Sequence, residues 1–355
     1  MLIYLYNLLS MPIYALVLKK KIFVILAALQ MFLILALRAD DLGVDLTVYS
    51  GAYNFITNLT FFDLLERVRF FQTAILPYPY NMEGGWVVFN WLIAQTGFDF
   101  QAVIVCCAII NSISVAMFIY KYSRIPWLSF FIFFSLGSFT YMFGILRQCL
   151  ALSILLIAYT YAEDRKWKKV IICFLLAFSI HRTAFIVVPL LILFKYPKFN
   201  KNKYIASLAM TMPFLLFSNY FYQYIVRSIM DFFNKMYIGR GFEWNNSITL
   251  LILITIFLLL VMNFKKIYSD IEIVTFWAFS ISIYIKIIGM YNSTLSRSSD
   301  YYMMFLCLLI PLAVSNYPKK DVRYLSIFLI SLMLFGFYIH TLNDNVIVPY
   351  RSILD

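Results

Sequence analysis

His181 stands directly before Arg182 in the otherwise apolar stretch Phe178-Ser179-Ile180-His181-Arg182-Thr183-Ala184-Phe185, and it is one of only two histidines in the chain. Imidazole is the side chain best matched to moving a proton near neutral pH, so His181 is the first candidate for a general base. Four further polar clusters interrupt apolar sequence in the same way. Met82-Glu83-Gly84-Gly85-Trp86 sets a carboxylate at the mouth of a short apolar segment, and partial burial of Glu83 would raise it toward a working base. Leu37-Arg38-Ala39-Asp40-Asp41-Leu42-Gly43-Val44-Asp45 closes an apolar run with an arginine followed by three acids, of which Asp45 is a third candidate for proton transfer. Gly144-Ile145-Leu146-Arg147-Gln148 places a guanidinium and an amide inside a long apolar stretch. Arg297-Ser298-Ser299-Asp300-Tyr301 opens another apolar run with an arginine. Ionisable groups at such positions are costly unless they face a cavity or a partner.

The elements that carry these groups are membrane helices. With 63% hydrophobic and 13% charged residues, the chain has too little polar surface to coat a soluble globule. The runs 1–18, 22–37, 101–120, 126–145, 147–162, 204–218, 247–263, 271–291, 301–316 and 324–340 each read as a membrane helix, and 170–195 reads as two short helices meeting at His181-Arg182. The apolar segment 84–96 is too short to cross and reads as a re-entrant or interfacial helix. The predicted fold is therefore all-α: one polytopic helix bundle over 1–355 with about twelve crossings. Its outer loops are 38–83 and 219–246, whose aromatic and charged residues, as in 61–71 and 230–237, predict amphipathic helices at the interface.

Charge orients the bundle. On this topology the cytoplasmic loops hold 15 lysines and 3 arginines, including Lys19 to Lys21, Lys121, Arg124, Arg165 to Lys169, Lys195 to Lys203 and Lys319 to Arg323. Both termini then face outward, together with all five polar clusters. The outer basic residues are Arg38, Arg67, Arg69, Arg147, Arg182, Arg227, Arg240, Arg297 and Arg351, with Lys235 the single lysine among them. A planar guanidinium fork suits phosphate and carboxylate oxygens, so an anion is expected on the outer side.

Other classes fit less well. The basic excess is a topology signal, and no basic soluble domain exists to bind nucleic acid. The five cysteines fall within predicted helices without metal-ligand spacing, so neither a metal centre nor a disulfide framework is expected, and no cofactor is implied. A segment with neither a basic start nor a small-residue cleavage pattern gives no sign of a cleavable signal at 1–18.

Taken in order, Arg38 with Gly43, Asp45 and Tyr49, Glu83 with Gly85, Arg147-Gln148 with Ala151, His181 with Ala184 and Pro189, Arg297 with Tyr301, and the tail Val348-Pro349-Tyr350-Arg351 resemble the EpsG/Wzy family of bacterial polysaccharide polymerases. The resemblance implies metal-independent glycosyl transfer between undecaprenyl-diphosphate-linked oligosaccharide repeat units at the outer face of the cytoplasmic (inner) membrane, in O-antigen, lipopolysaccharide or exopolysaccharide synthesis. It also implies a lipid-bilayer setting, with a chain-length regulator and a flippase as pathway partners. Within that chemistry His181, Glu83 or Asp45 would take the acceptor proton. Arg38, Arg147, Gln148, Arg182, Arg240, Arg297 and Tyr301 would bind substrate, the arginines stabilising the departing diphosphate. Tyr49, Trp86, Trp244 and Tyr301 are candidate sugar-stacking rings. A flippase or transporter of lipid-linked oligosaccharide is the competing reading, since it too would place arginines in a membrane cavity. It would also be expected to carry polar gates at both faces and internal repeats, which this sequence does not display.

Overall fold

The computed structural model describes residues 1–354 apart from 70, 78, 199–200, 227–268, 292 and 344. Among these the chain is all-helical, and its only extended pairings are two isolated bridges, Arg38 with Ser352 and Thr73 with Glu83. It divides into two compact units, Met1–Phe185 with Tyr324–Asp355, and Ile186–Arg323.

The first unit holds α1 (Leu2–Val17), α2 (Lys20–Ala36), α3 (Leu46–Ile56), α4 (Phe61–Arg67), α5 (Gly84–Ala94), α6 (Phe100–Tyr122), α7 (Pro126–Ser135), α8 (Ser138–Tyr141), α9 (Leu146–Glu163) and α10 (Trp167–Ile180). Helix α2 lies along α6, α6 along α9, and α9 along α10. Direction follows from the end contacts. Gln101 at the start of α6 donates to the Ala36 carbonyl at the end of α2 (2.8 Å), while Tyr122 and Lys121 at the end of α6 reach Glu163 at the end of α9 (2.7 and 2.9 Å). Both ends of the unit are thereby defined. One carries the turns 18–21, 121–125 and 163–167 with their lysines; the other carries Arg38, Glu83, Arg147 and His181.

Residues 345–353 close the second of these ends. Tyr350 donates to Ile34 O (3.0 Å), Ala39 N–H to Arg351 O (2.9 Å), Ile353 N–H to Leu37 O (2.9 Å), and Arg351 pairs with Asp41 (2.9 Å). At the start of the chain, Tyr4 donates to Ile347 O (2.7 Å) and its ring meets Tyr350 edge-on. The two chain ends therefore share the end that holds the polar residues.

The second unit contains α11 (Val188–Lys195), α12 (Lys201–Ala209), α13 (Thr211–Phe221), α14 (Asp270–Gly289), α15 (Ser293–Ser298), α16 (Asp300–Met303) and α17 (Leu306–Ser315). Helix α18 (Lys320–Asn343) starts in this unit and runs into the first.

Helices replace the predicted runs more finely than twelve full spans. Among the described residues α6, α14 and α18 are long and apolar enough to cross a membrane, and a fourth span results if Ser296–Met303 and Leu306–Ser315, bent by 46°, count as one. The run 126–145 becomes α7 and α8, broken at Leu136-Gly137, and 204–218 becomes α12 and α13. The run 170–195 breaks at His181 as expected, continuing as a 3₁₀ turn over Arg182–Val187 and then α11. A helix forms within 61–71 as predicted but stops at Arg67, started by a capping box between Thr60 and Asp63. Helix α3 was not anticipated. Residues 230–237 and 247–263 lie outside the described residues.

Candidate active site

Glu83 precedes α5 in an extended conformation, at the position where a carboxylate would ordinarily cap its own helix, yet its side chain makes no cap bond. It leaves the helix instead. One carboxylate oxygen is hydrogen-bonded to the Arg147 guanidinium, and the other lies 3.1 Å from His181 Nδ1 and 3.2 Å from the Arg182 backbone N–H. Three helix ends thus meet at one carboxylate: the start of α5, the start of α9 and the end of α10.

Local sequence explains why they meet. Gly85 lets α5 approach α10 closely, since a Cβ there would sit 2.3 Å from Ser179 Oγ and 2.8 Å from the Ser179 carbonyl carbon. Helix α10 stops at Ile180, and His181 is extended (φ −153°, ψ 116°), so imidazole and following N–H both turn toward Glu83. Arg147 is delivered by the turn 142–145, where Gly144 crosses the backbone of Val44; a Cβ on Gly144 would lie 2.5 Å from Val44 O. That crossing joins the start of α9 to the loop that begins α3.

Helix α3 supplies the fourth member. Leu46, Tyr49, Ala52, Tyr53 and Ile56 recur at helical spacing and are buried, which makes an amphipathic helix of a segment that reads in sequence as the continuation of a loop. Its Tyr49 hydroxyl accepts from Arg147 Nε (3.3 Å), and the guanidinium carbon lies 5.4 Å from the Tyr49 ring centroid. Arg147 is therefore held by an anion, a hydroxyl and a ring face.

The electrostatics follow from these contacts. Burial opposes ionisation of Glu83, but the His181 hydrogen bond and the Arg147 charge outweigh it and hold the carboxyl well below the usual carboxylate range. Glu83 is thus an acceptor at both oxygens, and a carboxylate facing Nδ1 assigns the imidazole proton to Nδ1 and leaves Nε2 as the basic nitrogen. Side-chain exposures of 21% for Arg147, 18% for His181 and 11% for Glu83 leave an opening for a ligand beside a largely dehydrated cluster.

Other candidates occupy different environments. Asp45 starts α3 with φ +70° and is exposed, and among the described residues it makes no ion pair. The Arg182 guanidinium is exposed and likewise unpaired among the described residues. Gln148 is buried beside Arg147 in sequence. Arg38 differs from the phosphate-binding role expected of it. It is 1% exposed, and its guanidinium donates to Leu35 O (2.6 Å), Met142 O (3.2 Å) and Phe143 O (3.1 Å) while lying over the Phe143 ring. Convergent backbone carbonyls bind this arginine, which pins the turn ahead of Arg147. Trp86 (1% exposed), Tyr49 (3%) and Tyr301 (0%) are packed inside, so a sugar ring cannot lie against them as predicted. Arg240 and Trp244 lie outside the described residues.

In the second unit Arg297 is part-buried on α15 and Asp300 is buried. Lys286, 4% exposed on α14, donates to Ser296 Oγ (3.1 Å). Gly289 packs directly on the Ser296 backbone, which fastens the end of α14 to α15. The Lys286–Ser296 contact has no local signal in the sequence, since the two residues lie on different helices.

A family model described as the EpsG family aligns with residues 21–352, nearly the whole chain. No curated protein and no solved structure matches.

Proposed function

This chain belongs to the EpsG family, the family of Wzy-type polysaccharide polymerases, and we propose that it joins undecaprenyl-diphosphate-linked oligosaccharide repeat units on the outer face of the bacterial cytoplasmic membrane. Family membership and the apolar helices mark it as a membrane protein of polysaccharide biosynthesis. The observation that carries the finer reading is the convergence of Arg147, Glu83, His181 and Arg182 at one end of the first unit. The lysine-bearing turns at the opposite end support placing that opposite end in the cytoplasm.

The chemistry is a single displacement. An acceptor sugar hydroxyl gives its proton to His181 Nε2 as its oxygen bonds to the anomeric carbon of the growing chain. The bond from that carbon to the lipid diphosphate breaks, and the electron pair leaves with the diphosphate oxygen. Glu83 is a positioning residue: it fixes the Nδ1–H tautomer and stabilises the imidazolium that forms. Arg182 and Arg147 lie where a guanidinium can offset the charge developing on the leaving group. Asp45 is the alternative proton acceptor, being exposed at the head of α3. A chain-length regulator and a flippase are expected as pathway partners.

Deletion of the gene followed by gel separation of the surface polysaccharide tests this reading. Polymerisation predicts a single repeat unit in place of a ladder, restored by the wild-type gene and not by His181→Ala. Loss of every surface unit would instead identify a flippase.

A further inference from the structure

Arg147 is the second residue of α9, and no cap fixes that end of the helix. The N-cap position is Ile145, which makes no side-chain cap bond, so the first turn lacks the anchor that serine, threonine or aspartate would give. Arg147 nevertheless has to be held still. Its guanidinium is hydrogen-bonded to Glu83, whose other oxygen faces His181, so a first turn that frayed would disturb all three.

The anchor comes from outside the helix. Phe143, four residues before Arg147 and fully buried, is gripped from three directions. The Arg38 guanidinium, beyond the end of α2, lies 5.1 Å from its ring centroid, while Phe139 of α8 (5.4 Å, 89°) and Tyr4 of α1 (5.8 Å, 62°) meet it edge-on. Tyr4 alone among these ties the turn to the tail. It is fully buried, its hydroxyl donates to Ile347 O (2.7 Å), and its ring also meets Tyr350 edge-on (6.0 Å, 76°), which in turn donates to Ile34 O (3.0 Å). A residue in the first turn of α1 is thereby wedged between the tail and the turn that delivers Arg147.

We propose that Tyr4 is a positioning residue for Arg147: through Phe143 it braces the uncapped start of α9 against the tail and keeps the guanidinium on Glu83. The assignment rests on the polymerase reading of the cluster and adds to it a residue remote from the reacting atoms. A rigid ring with edge contacts on both sides can do this, whereas a flexible side chain of similar bulk cannot. Misplacing a catalytic group by about 1 Å costs about 10²-fold, so loss of the brace should lower kcat by about ten- to a hundredfold.

The test uses the full chain in liposomes with purified repeat-unit lipid, turnover being expressed per folded molecule and thermal midpoints measured alongside in detergent. Tyr4→Met fills the space with a flexible chain and should lower kcat with little change in KM. Tyr4→Phe keeps the ring, loses only the bond to Ile347, and should keep kcat close to wild type. Phe23→Met, a change to an equally buried aromatic that packs on Phe130 at the lysine-bearing end, should lower the thermal midpoint and leave kcat unchanged. Because Tyr4 acts through Arg147, Tyr4→Met/Arg147→Ala should be no slower than Arg147→Ala alone. Tyr350→Leu removes the ring on which Tyr4 rests and should reproduce the kcat loss at smaller size, which keeps the idea testable if Tyr4→Met does not fold. Wild-type kcat in folded Tyr4→Met or Tyr350→Leu, an equal kcat loss in Phe23→Met, or losses that multiply in the double variant would reduce Tyr4 to ordinary packing and overturn the proposal. A wild-type protein that fails to extend the repeat unit overturns the polymerase reading and the brace with it; a wild type that extends it no better than Tyr4→Met overturns the brace alone.

Discussion

Replacing Glu83 by glutamine keeps the shape of the side chain and removes the charge on which the cluster depends. In the native site both carboxylate oxygens accept, one from Arg147 and one facing His181 Nδ1. An amide has one accepting end. If its oxygen stays with Arg147, its NH₂ group faces Nδ1, which must then be the unprotonated nitrogen, and the proton moves to Nε2 where the base is needed. Mis-set tautomers of this kind cost up to about 10⁴ in rate, and loss of a general base costs about 10²–10⁴, so the barrier should rise by about 2.7–5.4 kcal/mol. Arg147 also loses its counter-charge, but with 21% of its side chain exposed it keeps some hydration, and the accompanying stability loss should be about 1–3 kcal/mol. The assay is polymer formation from purified repeat-unit lipid in liposomes, per folded molecule, with substrate binding measured separately. Glu83→Gln should lower kcat with little change in binding. The double variant Glu83→Gln/His181→Ala should be no slower than His181→Ala alone, because Glu83 acts through the imidazole. Losses that multiply in the double variant would show two independent roles and refute this arrangement.

Arg38→Ala leaves three backbone carbonyls without their donor and should cost about 3–5 kcal/mol, read as a lower thermal midpoint in detergent; full stability with lost activity would return Arg38 to the substrate. Gly85→Ala must push α5 off Ser179 and should cost about 1–3 kcal/mol together with most of the turnover, whereas Gly336→Ala, in open space on α18, should be silent in the same membrane assay. The pH dependence of stability follows from the depressed Glu83 carboxyl. A carboxyl with a lowered folded pKa contributes its stability fully above its unfolded value of about 4.3 and loses it only as pH falls through the folded value. The stability gap between wild type and Glu83→Gln should therefore stay constant from pH 7 to about 5 and shrink as pH falls below about 4.3, and a gap that does not change below that pH would place the carboxyl in the ordinary range.

Sequence exposes the centre of this site because its members are costly where they stand. Glu83, Arg147 and His181 each interrupt apolar sequence, and the break at His181 is forced by the need to keep two lysine-rich loops on one side. What a linear reading cannot weigh is convergence. Arg38 and Arg147 look alike in sequence, each an arginine at a helix end, yet one is surrounded by backbone carbonyls and the other by a carboxylate. Nothing local distinguishes them, because Met142 and Phe143 lie over a hundred residues from Arg38. Helix α3 escapes notice for a different reason: its apolar stripe is split by Ser50, Gly51 and Asn54, residues that favour turns, and it forms because Tyr49 and Tyr53 have places to bury. The runs 126–145 and 204–218 each fold as two helices because apolar length in sequence does not reveal the breaks at Leu136-Gly137 and Met210.

The segment 345–353 finally sets an order of events on the site. Tyr350 and Arg351 bind Ile34 and Asp41 across more than three hundred residues of chain, and Tyr4 reaches Ile347 across 343. Such contacts cannot form until α18 has been inserted and the residues after it delivered to the end of the bundle where Arg38 lies. Until then the segment that follows α2 lacks its fastenings at Leu37, Ala39 and Asp41. The tail therefore fastens this end of the first unit last, whereas Glu83, Arg147 and His181 all precede α18 and touch one another without it.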